Sequence, residues 1–227
     1  MKAFRKNCFW LVLCLAALTG CRKEQEEEWV PVRTTLEVGE DGSITETIME
    51  KLDQAYYDAG ELKSMIDSSV RSYAGEHGPQ AVAVNECEIA DGQVNLAMTY
   101  STWEDYAAYN HVAFYNGSML GAELEGYLFL GPFREVHKKD LTLSDVGSDE
   151  VLAHKEYQVL ITDASHDIRV PGRIVYLSAN AGIITGSVAG PAAAAGEEDV
   201  PVPDGRPASR EESEKSWLYI VYDYTFG

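Results

Sequence analysis

The sequence lacks an excess of basic residues, and this absence limits the partners of the protein. Lysine and arginine number 18 against 37 aspartates and glutamates, so the formal net charge is −19. A chain this acidic repels phosphate backbones and anionic surfaces, because charges of one sign raise each other's electrostatic energy. We therefore expect no nucleic acid among its partners.

The residue spacings that mark catalytic and metal sites are also missing. The five histidines form no H-E-x-x-H or comparable metal-ligand pattern. Ser165, His166 and Asp167 are the residue types of a catalytic triad, but neighbours on one strand point to opposite faces. The Asp-Gly pairs at Asp41, Asp91 and Asp204 are typical of turns and lie in no calcium-binding loop pattern. The sequence therefore predicts no catalytic, cofactor-binding or metal-binding residue.

A hydrophobic run long enough to cross a membrane is missing from the N-terminus. The basic segment Met1 to Lys6 is followed by an apolar segment from Cys8 to Leu18. That segment is too short to span a bilayer, whereas its length and its basic flank suit a secretory signal. We predict that residues 1–20 are a signal peptide and that the protein is exported.

The leader ends in Leu18-Thr19-Gly20-Cys21, which resembles the lipobox of bacterial lipoproteins. The resemblance implies that Cys21 receives a diacylglyceryl group, that a peptidase cuts before it, and that acyl chains such as palmitate hold the mature protein in the membrane. The alternative is an ordinary cleaved signal in which Cys21 has no role, but the usual A-x-A-like site is absent. We expect a lipid-anchored protein on the extracytoplasmic face of the cell membrane.

Residues 21–30 are interpreted as a lipidated acidic tether. Arg22 and Lys23 can meet anionic headgroups, whereas the acidic run from Glu24 to Glu28 is repelled by them and extends the chain outward. Removal of residues 1–20 takes away three basic and no acidic residues, so the net charge changes from −19 to −22.

Only one thiol remains in the mature chain. Cys8 and Cys14 leave with the signal peptide and Cys21 is lipidated, so Cys87 has no partner for an intrachain disulfide. Stability must then come from the hydrophobic core. We interpret Cys87 as a small buried hydrophobe, with a reactive thiol as the alternative.

Two stretches of the chain repeat the order strand, Asp-Gly turn, strand, capped helix. The four strands are predicted at residues 34–38, 43–49, 82–89 and 94–100. The first helix is capped by Asp58 and ends near Gly75. The second has Ser101 and Glu104 as its capping box and Phe114 on its buried stripe. We interpret the two stretches as ββα units.

The C-terminal half predicts one short helix, at 118–125, and several strands. The strands are expected at residues 127–130, 157–162, 167–170, 173–177 and 217–224. Residues 188–216 are rich in Ala, Gly, Pro, Glu and Ser, which indicates a flexible loop. We therefore expect residues 31–227 to form a single α+β domain, with an antiparallel sheet built from two ββα units plus C-terminal strands, and with the helices packed on the sheet.

Three segments that follow the predicted tether also resemble a known family. Residues from Thr34 to Ile48, the helix from Tyr56 to Ile66, and Asp105 to Asn110 look like parts of uncharacterised lipoproteins of Gram-positive anaerobic bacteria. The resemblance covers about the first half of the mature chain. It implies a lipoprotein and brings no activity, ligand or cofactor with it.

An anchored acidic body without a catalytic motif is typical of a binding or interaction module. We expect a non-enzymatic protein with a protein or small-ligand partner. The alternatives are a cell-envelope hydrolase that uses carboxylates brought together by the fold, and a structural partner of a membrane complex. A deep pocket that holds a carboxylate of perturbed pKa favours the enzyme, and a flat, exposed apolar patch favours a protein partner.

Replacement of Cys21 by alanine tests the anchor. We expect Cys21→Ala to lose incorporation of a labelled fatty acid and to leave the membrane fraction, because no other residue receives the acyl chains. Cys14→Ala is the matched control and should keep both properties, since Cys14 lies in the leader. Unchanged labelling of the Cys21 variant would show that the anchor is elsewhere or absent.

Overall fold

The structure is a computed structural model that describes residues 29–52, 58–192 and 216–224. The predicted signal peptide, Cys21 and most of the predicted tether lie outside the described residues. Within the described part of the chain, thirteen strands and four helices follow one another in the order given below. None of these helices combines the length and apolar character that crossing a membrane requires.

The first half of the described chain holds six strands, three of the helices and the loops between them. In order they are β1 (Thr35–Val38), β2 (Ile44–Lys51), α1 (Ala59–His77), β3 (Val82–Ala90), β4 (Gln93–Tyr100), α2 (Trp103–Asn110), β5 (Phe114–Ser118), α3 (Met119–Leu124) and β6 (Phe133–Val136). The second half follows with β7 (Leu143–Val146), α4 (Ser148–Ala153), β8 (Gln158–Thr162), β9 (Asp167–Arg169), β10 (Arg173–Ser178), β11 (Ala181–Ile183), β12 (Val188–Pro191) and β13 (Leu218–Asp223).

The strands form two sheets. The seven-stranded sheet has the order β11-β12-β9-β1-β2-β4-β3, and the six-stranded sheet has the order β5-β8-β13-β10-β6-β7. Neighbouring strands are antiparallel except β1 and β9, which pair in parallel. The prediction of a mixed α+β fold with antiparallel strands and helices packed against them is confirmed, and the strands are divided between two sheets.

One hydrophobic core joins the two sheets. Leu36 and Ile44 of the seven-stranded sheet belong to the same buried cluster as Leu160 and Ile220 of the six-stranded sheet. A second cluster lies on the other face of the six-stranded sheet, where Ile161 packs with residues of α3 and α4. Because successive side chains of a strand point to opposite faces, the central strands of this sheet are buried on both sides and read as continuous apolar runs.

The part of the seven-stranded sheet that holds β2, β4 and β3 is buried mainly on one face. On β4 the buried residues Val94, Leu96 and Met98 alternate with half-exposed Asn95 and Thr99. The apolar residues of α1, Leu62 and Ile66 among them, are partly buried against the same core. This pattern is the period-two alternation that the sequence of residues 94–100 predicted.

The sequence predicted the N-terminal cap of α1 correctly and that of α2 incorrectly. Asp58 caps α1 as predicted, and its Oδ1 accepts a hydrogen bond from the backbone N–H of Glu61 at 2.8 Å. The predicted cap of α2 is wrong by one residue, because Thr102 accepts from the Asp105 N–H at 3.1 Å. Ser101 instead donates its hydroxyl to the carbonyl oxygen of Gln80.

Three further predictions need correction. Helix α1 continues past Gly75 to His77. Phe114 lies in β5 and not on α2, because His111 ends that helix in the left-handed conformation with φ of 54°. Residues 127–130 form no strand, since Phe129 has φ of 46° and turns its buried ring into the second core.

The predicted loop at 188–216 begins with a strand. Val188–Pro191 forms β12, which pairs with β9 and β11, and residues 193–215 lie outside the described residues. At Gly190 the absence of a side chain is required by close packing. A Cβ atom on Gly190 would lie 2.2 Å from Oδ1 of Asp167 and 3.2 Å from its Cα atom.

Gly190→Ala should therefore destabilise the fold. We expect a loss of roughly 1–3 kcal/mol in the free energy of unfolding, the usual cost of overpacking a buried site, measured by urea denaturation. Gly182→Ala is the matched control, because Gly182 pairs with Gly190 across the strands and its added Cβ meets no atom closer than 3.4 Å. Equal effects of the two substitutions would contradict the packing argument.

Candidate functional site

The histidines and other potential metal ligands are dispersed in the fold. His77 stacks on Tyr73 at 4.0 Å, and Nδ1 of His154 lies 2.9 Å from a carboxylate oxygen of Glu156. Within residues 29–52, 58–192 and 216–224, no group of three or more His, Cys, Asp or Glu side chains is placed to hold a metal ion. Cys87 is free, partly buried and packed against the core.

Ser165, His166 and Asp167 do not assemble as a triad. The Asp167 carboxylate is occupied by Arg33, whose Nε donates to Oδ2 at 2.8 Å and whose Nη2 donates to Oδ1. Arg33 is in turn half exposed, while the Asp167 side chain is buried. This pair fixes the segment before β1 against β9, so Asp167 has a structural role.

An apolar groove lies between the N-terminal half of α1 and strands β2 and β4. We name it the α1 groove, and its volume is about 590 Å³. Its residues are Ile48, Leu52, Leu62, Met65, Ile66, Val94 and Leu96, together with the charged residues Glu50, Lys51, Asp58 and Glu61. The size and the mainly apolar lining are those of small-ligand sites.

The groove exists because α1 covers the sheet incompletely. None of the 19 residues of α1 is fully buried, and Met65, which faces the groove, is 62% exposed. Leu62 and Ile66 stand one turn apart on the helix and are half buried. An amphipathic helix normally buries its apolar stripe, so the open stripe of α1 marks a surface that can accept a ligand.

A second cavity lies beside the groove, at the start of β1. It has a volume of about 400 Å³ and we name it the Glu46 pocket. Its lining residues are Arg33, Thr34, Glu46, Ile48, Met49, Glu50, Ser165 and His166. Ile48 and Glu50 line both the pocket and the α1 groove.

The carboxylate of Glu46 is the unusual group in this pocket. Glu46 is only 5% exposed, and its Oε2 accepts a hydrogen bond from the hydroxyl of Tyr100 at 3.0 Å. Burial raises the pKa of Glu46, and the bond from Tyr100 opposes that rise. Burial next to the Glu46 carboxylate likewise raises the pKa of Tyr100, so this phenol remains protonated and acts as a donor.

His166 titrates in the opposite sense. Burial lowers the pKa of His166, and the positive charge of Arg33 lowers it further, while Asp167 and Glu50 act against this shift. The fold therefore favours the neutral imidazole. Above the ordinary histidine pKa, His166 is neutral in both the folded and the unfolded chain and costs no stability. As the pH falls below that pKa, the unfolded chain binds the proton more readily than the folded one, so the free energy of unfolding decreases.

The aromatic side chains at residues 103–115 pack against one another and against Tyr100. Tyr106 is 1% exposed, and its ring lies 4.8 Å from that of Phe114 and 5.2 Å from that of Tyr100. Trp103 packs on Tyr115 at 5.3 Å. These contacts position Tyr100, and through it the hydrogen bond to Glu46.

Sequence reasoning missed Glu46, although a signal was present. Ile44, Glu46 and Ile48 alternate with Thr45 and Thr47 along β2, so the pattern places a carboxylate on the apolar face of the strand. The α1 groove carried no such signal. Leu62 and Ile66 stood out as an apolar stripe, and only the groove that α1 leaves beside β2 and β4 shows that this stripe is partly open.

Replacement of Glu46 by glutamine tests its burial. The folded state favours the protonated carboxyl of Glu46. Between the ordinary and the raised pKa, the folded chain therefore binds more protons than the unfolded chain. The free energy of unfolding then falls as the pH rises through that interval. Glu46→Gln keeps an acceptor for Tyr100 and removes this loss. We expect a higher melting temperature than wild type near pH 7, with the difference vanishing near pH 4.

Glu37→Gln serves as the control, since Glu37 is exposed on the neighbouring strand β1 and undergoes the same change of charge. Thermal unfolding followed by circular dichroism at a series of pH values gives both profiles. Parallel profiles for the two variants would contradict the burial argument.

Comparison with known proteins gives no indication of function. No protein-family model matches the chain, and no curated protein or solved structure shows significant similarity to it. The function is therefore argued from the α1 groove and the Glu46 pocket alone.

Proposed function

We propose that the protein is a membrane-anchored extracytoplasmic lipoprotein whose folded part is a non-enzymatic binding module. The anchor is Cys21, within the lipobox-like segment Leu18 to Cys21. The observation that carries the binding role is the α1 groove, a concave apolar surface of about 590 Å³ whose helix leaves Met65 exposed. Its ligand has an apolar part that this groove accommodates.

The shape of the groove favours a small ligand over a large protein surface. Apolar side chains from β2, β4 and α1 converge on it from two sides. Burial of an alkyl chain there removes apolar surface from water, which contributes about 25 cal/mol for each Å². Because β2 and β4 pair over eight residues, they offer a rigid floor that needs no ordering on binding.

The hydrolase alternative rests on a different observation. Glu46 is a buried carboxyl group of raised pKa that lines a cavity, which is the property expected of a general acid. Its hydrogen-bond partner is the Tyr100 hydroxyl, which supplies neither a nucleophile nor a base at neutral pH. An enzyme of this kind would lose hydrolysis of its substrate in the Glu46→Gln variant while the fold persists, and this outcome separates it from a binding module.

Binding of 1-decanol by the purified mature protein tests the groove. We expect saturable binding in isothermal titration calorimetry and a rise in melting temperature, because a ligand at about a hundred times its dissociation constant adds about 2.7 kcal/mol to stability. Met65→Asn should weaken binding by roughly 5- to 30-fold, since one exposed apolar contact worth about 1–2 kcal/mol is lost.

Leu124→Asn is the matched control. Leu124 is 81% exposed on α3 and does not line the groove, so this variant should bind 1-decanol as the wild type does. Absence of binding by the wild type, or equal weakening by both substitutions, would overturn the assignment of the α1 groove. The lipid anchor is tested separately by the Cys21→Ala variant.

A further inference from the structure

The α1 groove and the Glu46 pocket form one continuous surface along β2. Glu46, Ile48 and Glu50 stand at alternate positions of the strand, so their side chains share one face of the sheet. Ile48 and Glu50 line both cavities. The path from Glu46 to Glu50 covers about 13 Å, at about 3.3 Å for each residue. One end of this surface is therefore a buried carboxylate, and the other is apolar.

The Glu46 carboxylate is incompletely satisfied by the protein. The hydrogen bond from Tyr100 is accepted by Oε2, which leaves other lone pairs of the carboxylate to accept a further donor. Glu46 is more than nine-tenths buried and lines the pocket. A carboxylate in this largely buried position gains from a further donor, so a charged N–H group supplied by a ligand in the pocket would be favoured there.

The basic residue in the pocket does not fill this role. Arg33 is held by Asp167 through two hydrogen bonds, which commits its guanidinium to that carboxylate. Along the groove, Glu50, Asp58 and Glu61 outnumber Lys51. The surface as a whole thus presents negative charge to a ligand, in agreement with the net charge of the chain.

We propose that the ligand of this surface is a small cationic amphiphile, whose protonated amine donates to Oε1 of Glu46 and whose alkyl chain lies in the α1 groove. This inference rests on the proposed binding function and adds the chemical class of the ligand. A small amphiphile fits better than a peptide, because the two cavities, at about 590 and 400 Å³, have the size of small-ligand sites.

Four probes with the same decyl chain separate the contributions of head group and tail. They are decylammonium, decyltrimethylammonium, 1-decanol and decyl sulfate, each titrated into the purified mature protein below the concentration at which micelles form. We expect decylammonium to bind at least tenfold more tightly than 1-decanol, because it adds charge and N–H donors. Decyltrimethylammonium, which has charge but no donor, should lie between them, and decyl sulfate should bind most weakly.

Two variants locate the head group. Glu46→Gln should reduce the affinity for decylammonium to that for 1-decanol and leave 1-decanol binding unchanged. Glu37→Gln makes the same change of charge on an exposed residue outside both cavities, and it should keep the preference for decylammonium. Met65→Asn should weaken all the probes that bind, since it acts on the tail.

The outcomes distinguish this inference from the function on which it rests. Binding of 1-decanol without any preference for decylammonium would overturn the assignment of the ligand class and leave the binding module intact. A preference that survives in Glu46→Gln, or that is unaffected by Met65→Asn, would place the head or the tail elsewhere and overturn the inference. Failure of every probe to bind would overturn both.

Discussion

Burial of the six-stranded sheet on both faces is the constraint on which the rest of the structure depends. One face packs against the seven-stranded sheet and the other against α3 and α4, so β8, β10 and β13 can carry only apolar or small residues at almost every position. In the seven-stranded sheet, burial decreases along β2 from Ile44 to Lys51, and α1, which packs beside this end of the strand, has no buried residue of its own.

The candidate site is a direct result of this decrease in burial. Along β2, Glu46 is still buried, Ile48 is half buried and Glu50 is exposed. The environment of one strand face thus changes from the protein interior to solvent over five residues. An amphiphilic ligand has the same change of character along its own length, which is why the surface suits that class of molecule.

The sequence allowed the local features to be predicted, because they depend on neighbours in the chain. The hairpins around Asp41-Gly42 and Asp91-Gly92 and the cap at Asp58 follow from turn and capping chemistry. Long-range pairing was not accessible, since β9 pairs in parallel with β1 across about 130 residues and no local pattern indicates this partner. The errors at Ser101 and at 127–130 arose because tertiary contacts overrode the local pattern: Ser101 bonds to Gln80, and Phe129 turns its ring into the second core. The burial of Glu46 was visible in the alternation of β2, whereas the opening beside α1 was not.

The position of β13 has a consequence for how the polypeptide reaches this fold. β13 pairs with β8 and β10 on its two sides, and it follows both of them in the chain. A chain in which every earlier element has formed still lacks the strand between those two, so their inner edges present unpaired N–H and C=O groups. Both hydrophobic cores remain unfinished until then, and the chain stays prone to edge-to-edge aggregation. The six-stranded sheet therefore closes only when residues 218–223, the last of its strands in the chain, insert between β8 and β10.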